Sequence, residues 1–568
     1  MIKRRFDKLL AEGHGRQLIV LLIVVLCFLS VSLLIAKYVF ADGKLSWQDV
    51  VAILLDPGCF QGAGPHDWFR LLIALMSIFL LSALLVSSFT NVFENISEDM
   101  RSGKRRYSLH NHILILGAGY QLRKILEALR DDPRMVVVMA PQKPKVEGSY
   151  IYYSGRRDVW ADLAGAKPEK ASEIFIIGND EEEGSDTKSL QALRWIKERC
   201  LLKGSEPLCH LCVKSFETTE VLQYSRKSET NGYQRINIVN DYEYLAEQLL
   251  VGTDFLPALR KESDKKAHVV IIGTGVRAQA VAYTVAHVCH YPNGHTQLTV
   301  IDPDALKWGR KLMAARPALY EHSRWAVVEE NGRQENECKR LLSDIDWQFV
   351  NGSTEEPWVR ALLENYVMRD ATSIIICNES DDCATTIALH LPRIVYQKAS
   401  GIAVWIDNSE ELLRCAAKTN MYGQIKILGT VGDITDPLYR NRITMGQRVN
   451  HLYYTAYVDR HSTDLDREWY GLSETDKYSS IYCANATPLR MRCYDPKDLE
   501  GLCESEHRRW NVSQLLMGYI PGEHTDKEQF VHADLKPYEE LPPEEHKKDY
   551  LLVSNAHYIL MGDINNLQ

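Results

Sequence analysis

The first ninety residues contain two long apolar runs without a charged residue, at positions 18–36 and 71–89. A helix of that length crosses a hydrocarbon core about 30 Å thick. The pattern therefore predicts two transmembrane helices. A signal peptide is the alternative for the first run, but the run is too long for one and no small-residue cleavage site follows it.

Basic residues flank the two runs on what would be one side of the membrane. Five precede the first run and four follow the second: Lys3, Arg4, Arg5, Lys8, Arg16, Arg101, Lys104, Arg105 and Arg106. Because positive charge favours the cytoplasmic side of a membrane, we expect a multi-pass protein of the cell (inner) membrane with both termini in the cytoplasm. The connection at 41–68 would then lie on the opposite side.

This connection contains a short amphipathic segment at 46–55, which ends in Asp56-Pro57-Gly58. Ten residues cannot span the bilayer, but they form a re-entrant helix if protein or water covers them. Two spans around a re-entrant helix is the minimal layout of a pore subunit, and four such subunits usually surround one pore. This interpretation assigns Asp56, Pro57 and Gly58 to the pore, where four copies of Asp56 form a negative ring that attracts cations. An ordinary extracellular loop in a two-span anchor fits the segment equally well.

Short apolar strands alternate with amphipathic helices from residue 112 to about residue 440, and the alternation occurs twice. HILILGAG at 112–119 and HVVIIGTG at 268–275 each run from an apolar stretch into a glycine turn and then a helix. Further along, 173–193 matches 373–391 in the same order. This pattern predicts two α/β, Rossmann-like domains, each with a parallel, doubly wound sheet.

The glycine turns are candidate phosphate sites, because backbone N–H groups at such a turn bind a pyrophosphate. The first turn contains Gly117 and Gly119, and its next strand ends without an acid. The second contains Gly273 and Gly275, and its next strand ends at Asp302, in the position that bonds a ribose. We therefore predict that a nucleotide or dinucleotide binds more readily in the second copy. Close packing of the strand against the helix also explains the glycines.

Composition argues against several functions. The 568 residues carry a net charge of −9, which disfavours a nucleic-acid-binding surface. Cys209 and Cys212 lack a second cysteine pair to complete a zinc site, so we predict no metal and interpret them as core residues of a strand. No acid–base pair for hydride transfer accompanies Gly273, so an NAD-linked enzyme is not predicted.

A pore-like segment followed by two Rossmann-like domains resembles the ligand-gated potassium channels with tandem RCK domains (regulators of potassium conductance). The closer resemblance is to the CASTOR/POLLUX ion-channel family, over about residues 15–430. It rests on four segments: DPG at 56–58, NVFENISE at 91–98, GK at 103–104 and HNHILILG at 110–117. The resemblance implies a tetrameric, ligand-gated channel in a lipid bilayer. The TVGYG filter of ordinary potassium channels is absent, so we predict a cation pore without naming the ion.

The chain changes character after about residue 441, where aromatic and charged residues replace the alternating strands. Residues 502–560 closely resemble the RyR domain, a helical repeat of ryanodine receptors that also occurs in bacterial proteins. The matching positions are EHRRWN at 506–511, GY at 518–519, His532, PYEELP at 537–542 and KD at 548–549. A fainter copy containing His451 and Trp469 precedes it, so we expect an all-α region of two halves, the first degenerate.

A ligand pocket is predicted in the RyR-like region, because His507 and Trp510 share one helix face with two arginines beside them. The expected pocket residues are His507, Arg508, Arg509, Trp510, Tyr519 and Tyr538. Aromatic rings and guanidinium groups together suit a flat, anionic ligand such as a nucleotide. Alternatively, the aromatic residues belong to the core. The arginines are expected at the surface, where charge reversal is tolerated.

The predicted organisation has six segments: a cytoplasmic N-terminus (1–17), a two-span pore domain (18–98), a linker (99–111), two Rossmann-like RCK domains (112–262 and 263–440) and an RyR-like helical region (441–568). The function that these patterns favour is a homotetrameric cation channel gated by a small nucleotide-like ligand. A non-conducting two-span anchor that presents a nucleotide sensor is the alternative.

Overall fold

The computed structural model describes most of the chain: residues 67–119, 121–179, 182–224, 235–338, 340–407, 411–428 and 436–562, with scattered positions between 23 and 56. Two compact units divide the chain. They are Met1–Tyr107 with Tyr152–Ser154, and Ser108–Ile151 with Gly155–Gln568.

The first unit contains a 35-residue helix, α1 (Asp67–Arg101), which includes the second predicted apolar run. Asp67 in the first turn and Arg101 in the last turn both interact favourably with the helix dipole. Among the described residues, no helix is both long enough and apolar enough to cross a membrane. Within the apolar run, the side chains at 80, 81, 83–85 and 87–89 lie outside the described part of the chain.

The predicted pore segment is described only in part. Asp56 is exposed, and its N–H donates to the Ala52 carbonyl at 2.8 Å, which is the bonding pattern of a helical turn. Pro57, Gly58 and most of the first apolar run lie outside the described residues. The two-span pore therefore stays a prediction.

The first Rossmann-like domain contains a six-stranded sheet. Its strands are β1 (His112–Gly117), β2 (Val136–Ala140), β3 (Ile151–Ser154), β4 (Ala171–Gly178), β5 (Leu208–Val213) and β6 (Ile236–Asn240). The sheet has the order β3-β2-β1-β4-β5-β6, and β1 is parallel to both neighbours. Its helices are α2 (Leu122–Ala128), α3 (Trp160–Gly165), α4 (Ser185–Lys203), α5 (Phe216–Tyr224) and α6 (Asp241–Leu250). All six residues of β1 are buried, because helices cover both faces of a parallel sheet.

The second Rossmann-like domain contains an eight-stranded sheet. Its strands are β7 (Ala267–Ile272), β8 (Thr296–Asp302), β9 (Trp325–Glu329), β10 (Gly332–Glu335), β11 (Ile345–Asn351), β12 (Ala371–Ile376), β13 (Gly401–Trp405) and β14 (Ile425–Leu428). The sheet has the order β10-β9-β11-β8-β7-β12-β13-β14. Its helices are α7 (Val276–Val288), α8 (Ala305–Ala315), α9 (Pro317–Glu321), α10 (Pro357–Arg369), α11 (Asp381–His390), α12 (Arg393–Lys398) and α13 (Glu411–Ala416).

The strand orders confirm the predicted α/β repeat. The first sheet contains the run β3-β2-β1-β4-β5, and the second contains β11-β8-β7-β12-β13, so equivalent strands occupy equivalent places. The two glycine turns follow β1 and β7, where the strand order reverses. That edge of a doubly wound sheet is where ligands usually bind.

The described residues after Arg440 are helical, apart from one short strand pair. The helices are α14 (Arg440–Tyr457), α15 (Leu465–Tyr470), α16 (Glu474–Cys493), α17 (Leu499–Leu516), α18 (Pro543–Ser554) and α19 (Ala556–Met561). Strands β15 (Ile520–Pro521) and β16 (Val531–His532) pair between α17 and a 3₁₀ turn at Tyr538–Glu540. We refer to Arg440–Met561 as the terminal helical region.

The terminal helical region packs on both Rossmann-like domains. Helix α6 of the first domain packs against α7 of the second, and α16 and α17 pack on α7. Arg442 donates to Glu247 of α6 at 2.7 and 3.1 Å, and each side chain is only 4% exposed. Tyr482 donates to Glu243 of α6 at 3.0 Å and stacks on His287 of α7 with 3.5 Å between ring centroids. The terminal helices therefore join the two domains.

Candidate functional site

A cavity of about 390 Å³ lies inside the terminal helical region, between α14, α16, α17 and α18. Four of the six predicted pocket residues line it: His507, Arg509, Trp510 and Tyr519. Its volume is within the range of about 300–1,000 Å³ that small-ligand pockets occupy. We refer to it as the terminal cavity.

Aromatic rings form one wall of the terminal cavity. His507 and Trp510 stack with 5.6 Å between centroids and 23° between planes, because residues three apart lie on one face of α17. His532 meets Trp510 edge to face at 4.9 Å, and Tyr519 packs against Phe530 at 5.1 Å. This wall is therefore aromatic, which suits contact with a flat ligand.

Arg509 lines the cavity, but the prediction that it lies at the surface is wrong. Its side chain is 1% exposed and donates to the fully buried Glu506, which also accepts from Arg490. Burial would raise the pKa of Glu506, but the two guanidinium groups outweigh it and lower that pKa to about 2. One carboxylate thus pairs with two guanidinium groups, and the three charges on α16 and α17 are almost completely buried.

Arg508 and Tyr538, the other two predicted pocket residues, lie outside the cavity lining. Arg508 donates to Tyr494 at 3.2 Å, and its Nε is 3.8 Å from Oδ2 of Asp344 in the second Rossmann-like domain. Tyr538 stacks on His546 with 4.2 Å between centroids. The helix turns Arg508 away from the cavity, because residues adjacent in sequence point in different directions.

Several cavity residues were not predicted as ligand contacts. Asn450 of α14, Asp476 of α16 and Lys527 of the loop after β15 all line the cavity, as does Asp549 of α18. The faint repeat around His451 was the one sequence signal that pointed to α14. The remaining residues come together only through the packing of helices that are far apart in the sequence.

The polar and charged residues around the terminal cavity differ in how deeply they are buried. Asn450 and Asp549 are 7% exposed and His507 is 3% exposed, whereas the side chain of Lys527 is 63% exposed. Lys527 Nζ is 3.1 Å from Asp476, and the half-exposed Lys548 pairs with Glu545. We call the end of the cavity at Asn450 and Asp549 the inner end, because these polar residues are buried. The outer end contains two lysines, each in a surface ion pair.

At the glycine turn of the first Rossmann-like domain, the backbone N–H groups already bond to another part of the same domain. Gly117 has a φ of +116°, and a Cβ there would collide with the carbonyl of Gly178. The N–H groups of Ala118 and Gly119 donate to that carbonyl at 2.9 and 3.0 Å, and Ala118 also donates to Asn179 Oδ1. Donors needed for a pyrophosphate are thus already bonded, which favours the packing interpretation of Gly117 and Gly119.

At the second glycine turn, Asp302 lies where the sequence predicts it, but a second carboxylate, that of Glu379, lies beside Gly275. Asp302 ends β8 beside Gly273, whose N–H donates to Ile301 at 2.9 Å, and burial raises the pKa of Asp302. Gly275 has a φ of +99°, and a Cβ there would be 2.5 Å from Glu379 Oε1. A carboxylate at this turn repels the phosphates that the turn was predicted to hold.

The cysteine pair lies in a core strand, as the sequence indicated. Cys209 and Cys212 are both buried in β5, and burial raises the pKa of Cys209 to about 12. Cys212 Sγ is 3.2 Å from the Tyr439 hydroxyl. Within the described part of the chain, no group of three or more His, Cys, Asp or Glu side chains is placed to hold a metal ion.

Among solved structures, the chain is similar to several of the GsuK channel. No protein-family model matches the chain, and no curated protein matches it. GsuK bound to ADP is 14% identical over 74% of this chain and 97% of that chain, with a TM-score of 0.39. The GsuK channel bound to NAD is 13% identical over 73% and 80% of the two chains, with a TM-score of 0.41. The GsuK RCK domain is 13% identical over 59% and 77%, with a TM-score of 0.33. The two-copy α/β fold follows from the strand order and register of this chain itself.

Proposed function

We propose that this chain is the subunit of a homotetrameric, ligand-gated cation channel of the cell (inner) membrane, with both termini in the cytoplasm. It acts by binding a small nucleotide-derived ligand rather than by catalysis. The observation that carries the proposal is the terminal cavity. It combines stacked aromatic rings with buried polar groups, and its helices α16 and α17 pack on α7.

An unbroken chain of contacts from the cavity to both Rossmann-like domains supports a role in gating. Arg509 donates to Ser513 Oγ at 3.2 Å, and Ser513 Oγ is 3.2 Å from His287 Nδ1 of the second domain. His287 stacks on Tyr482, which donates to Glu243 of the first domain. A ligand that displaces Arg509 therefore alters contacts of both domains, as a gating ligand must.

The pore part of the proposal is supported by the sequence. Two uncharged apolar runs flank the segment that ends at Asp56, and basic residues lie at the outer ends of both runs. Helix α1 ends at Arg101 and β1 begins at His112, so residues 102–111 alone connect the second run's helix to the first Rossmann-like domain. A connection this short suits the transmission of a domain movement.

A cation-flux assay on the purified protein in liposomes tests the proposal, with AMP, GMP, CMP, UMP, ADP and NAD as probes. We expect flux that depends on at least one of these nucleotides. Asp56→Asn should lower the flux while leaving the tetramer assembled, because four copies lose the negative ring. Asp42→Asn is the matched control, since Asp42 lies in the same connection outside the DPG segment.

Two outcomes contradict the channel. Flux that ignores every nucleotide removes the ligand gate, and correctly inserted protein that passes no ions removes the pore. The second outcome favours the alternative, a non-conducting two-span anchor that presents a nucleotide-sensing module to other proteins.

A further inference from the structure

The inner end of the terminal cavity contains a polar group without a partner. Asn450 lies on α14, is 7% exposed and lines the cavity. Its amide Nδ2 is buried, and no hydrogen-bond partner for it is found among the described residues. Buried donors are nearly always bonded in folded proteins. Asn450 therefore has an unused hydrogen-bonding group at the cavity wall, where a ligand can bond it.

A second buried polar group, Asp549 of α18, lines the same end of the cavity. His507 Nε2 is 2.8 Å from the Lys536 carbonyl, so that nitrogen carries the hydrogen and Nδ1 is left as an acceptor. Nδ1 faces Asp549 Oδ2 at 3.6 Å. Burial and the nearby Glu506 raise the pKa of Asp549, and burial lowers the pKa of His507 to about 4. The carboxyl of Asp549 therefore holds its proton more strongly than the carboxyl of an exposed aspartate does.

Asn450 and Asp549 belong to neighbouring faces of the cavity. Tyr453 follows Asn450 by one turn of α14 and also lines the cavity. Helices α14 and α18, which carry Asn450 and Asp549, pack against each other. An amide and a carboxyl that favours its protonated form offer hydrogen-bond donors and acceptors to one edge of a ring.

The outer end has the opposite character. Lys527 and Lys548 have side chains 63% and 43% exposed, and each is paired with one carboxylate. Exposed ion pairs of this kind are weak, so an incoming phosphate competes with them easily. A ligand that fits both ends has an uncharged, hydrogen-bonding ring and an anionic group.

We propose that the terminal cavity binds a nucleoside monophosphate with the base innermost, where Asn450 and Asp549 bond its polar edge while Lys527 and Lys548 hold the phosphate. The volume of about 390 Å³ suits one nucleotide better than a dinucleotide. The inference rests on the nucleotide ligand of the proposed function and adds its size, its direction of entry and the residues that read its base.

Calorimetry on the full-length protein in detergent tests this binding mode, with AMP, GMP, CMP, UMP and base-free ribose 5-phosphate as probes. We expect at least one of the four nucleotides to bind and ribose 5-phosphate to bind at least about tenfold more weakly. Asn450→Leu should weaken binding by about tenfold or more while leaving the melting temperature unchanged or higher, because it removes an unpaired buried polar group.

Matched variants separate the roles of the other residues. Asp549→Asn should bind within about twofold of wild type, since an amide has the shape of a carboxyl and keeps a donor and an acceptor, whereas Asp549→Leu should lose about tenfold. Lys548→Ala should weaken nucleotide binding. Lys547→Ala should not, because Lys547 pairs with Glu544 on the exposed side of α18.

Three results would overturn the inference: no binding of any of the four nucleotides, wild-type affinity in Asn450→Leu, or equal losses in Lys548→Ala and Lys547→Ala. The flux assay tests the channel separately from the binding mode. Nucleotide binding without flux contradicts the channel and leaves the binding mode standing, whereas nucleotide-gated flux with unchanged affinity in Asn450→Leu contradicts the binding mode alone.

Discussion

The glycine turn after β1 and the terminal cavity are both candidate ligand sites, and they differ in how their polar groups are satisfied. At the turn, the N–H groups of Ala118 and Gly119 already donate to Gly178. In the cavity, the amide Nδ2 of Asn450 has no partner among the described residues, although it is buried. A glycine motif therefore marks a place where the backbone comes close, and unsatisfied buried donors are the better guide to where a ligand binds.

The largest effect that distinguishes the two regions is expected from Arg509→Glu. It would place a second carboxylate against Glu506, with both side chains at most 1% exposed. Removing one partner of a buried ion pair costs about 3–5 kcal/mol, and the reversed charge adds repulsion. We expect the terminal helical region to unfold or melt at a much lower temperature, measured by melting curves on the full chain in detergent.

Lys547→Glu is the control for that experiment, because its side chain is 65% exposed on α18. It should change the melting temperature little. A stable Arg509→Glu protein that has lost only nucleotide affinity would show that Arg509 is a surface ligand, as the sequence first indicated.

The next largest effect is expected from Gly117→Ala in the turn after β1. A left-handed φ of +116° strains a residue with a Cβ by about 1–3 kcal/mol, and that Cβ would also meet the Gly178 carbonyl. Gly332→Ala is the matched control, because a Cβ there meets open space and its φ is not in the strained range. Equal melting temperatures for the two variants would remove the close-packing explanation for Gly117.

Much of the fold was predictable because local patterns encode it. The apolar stretches that became β1 and β7 are buried on both faces, so they lack the alternation of an exposed strand and stand out in the sequence. Their repetition predicted the equivalent strand orders of the two sheets. His507 and Trp510 were paired correctly, since a spacing of three residues fixes a shared helix face.

The details of the sites were less predictable because they depend on distant residues. Arg509 carries a charge that usually lies in water, and its burial depends on Glu506 and Ser513, which accept its hydrogen bonds. The donors of the first glycine turn are consumed by Gly178 and Asn179, about sixty residues further along the chain. Asn450 belongs to a helix that precedes the RyR-like motif altogether.

A moderate, pH-dependent effect is expected from Asp549→Asn. Burial and repulsion from Glu506 raise the pKa of Asp549. A carboxyl whose pKa rises on folding stabilises the folded chain fully below its unfolded pKa of about 3.9, and this contribution is lost as pH rises through the folded pKa. The asparagine variant avoids that loss, so its free energy of unfolding should gain on wild type with increasing pH, by about 1.4 kcal/mol per pH unit between the two pKa values.

The measurement is a series of melting curves from about pH 5 to about pH 9 on both proteins. The charged and titratable groups around Asp549 are unchanged between them: His507, Glu506, Arg509, Arg490 and Glu545. A difference that is constant across the series would mean that Asp549 is ionised throughout.

The smallest effect is expected from Asp302→Ala at the second glycine turn. If Asp302 bonded a ribose, its loss would cost about 1.5–3 kcal/mol of nucleotide affinity. Glu379 lies at the phosphate end of that turn, so we expect calorimetry to give the wild-type affinity within about twofold. Weaker binding by Asp302→Ala, with Asn450→Leu unaffected, would move the nucleotide from the terminal cavity to the second Rossmann-like domain.

The nucleotide dependence of cation flux in Asn450→Leu, measured beside wild type in liposomes, tests most directly whether the terminal cavity controls the pore. Both proteins should have the same flux without nucleotide, and the variant should need about tenfold more nucleotide to reach half of its maximal flux. Identical concentration dependence in the two proteins would show that the channel is gated from another site.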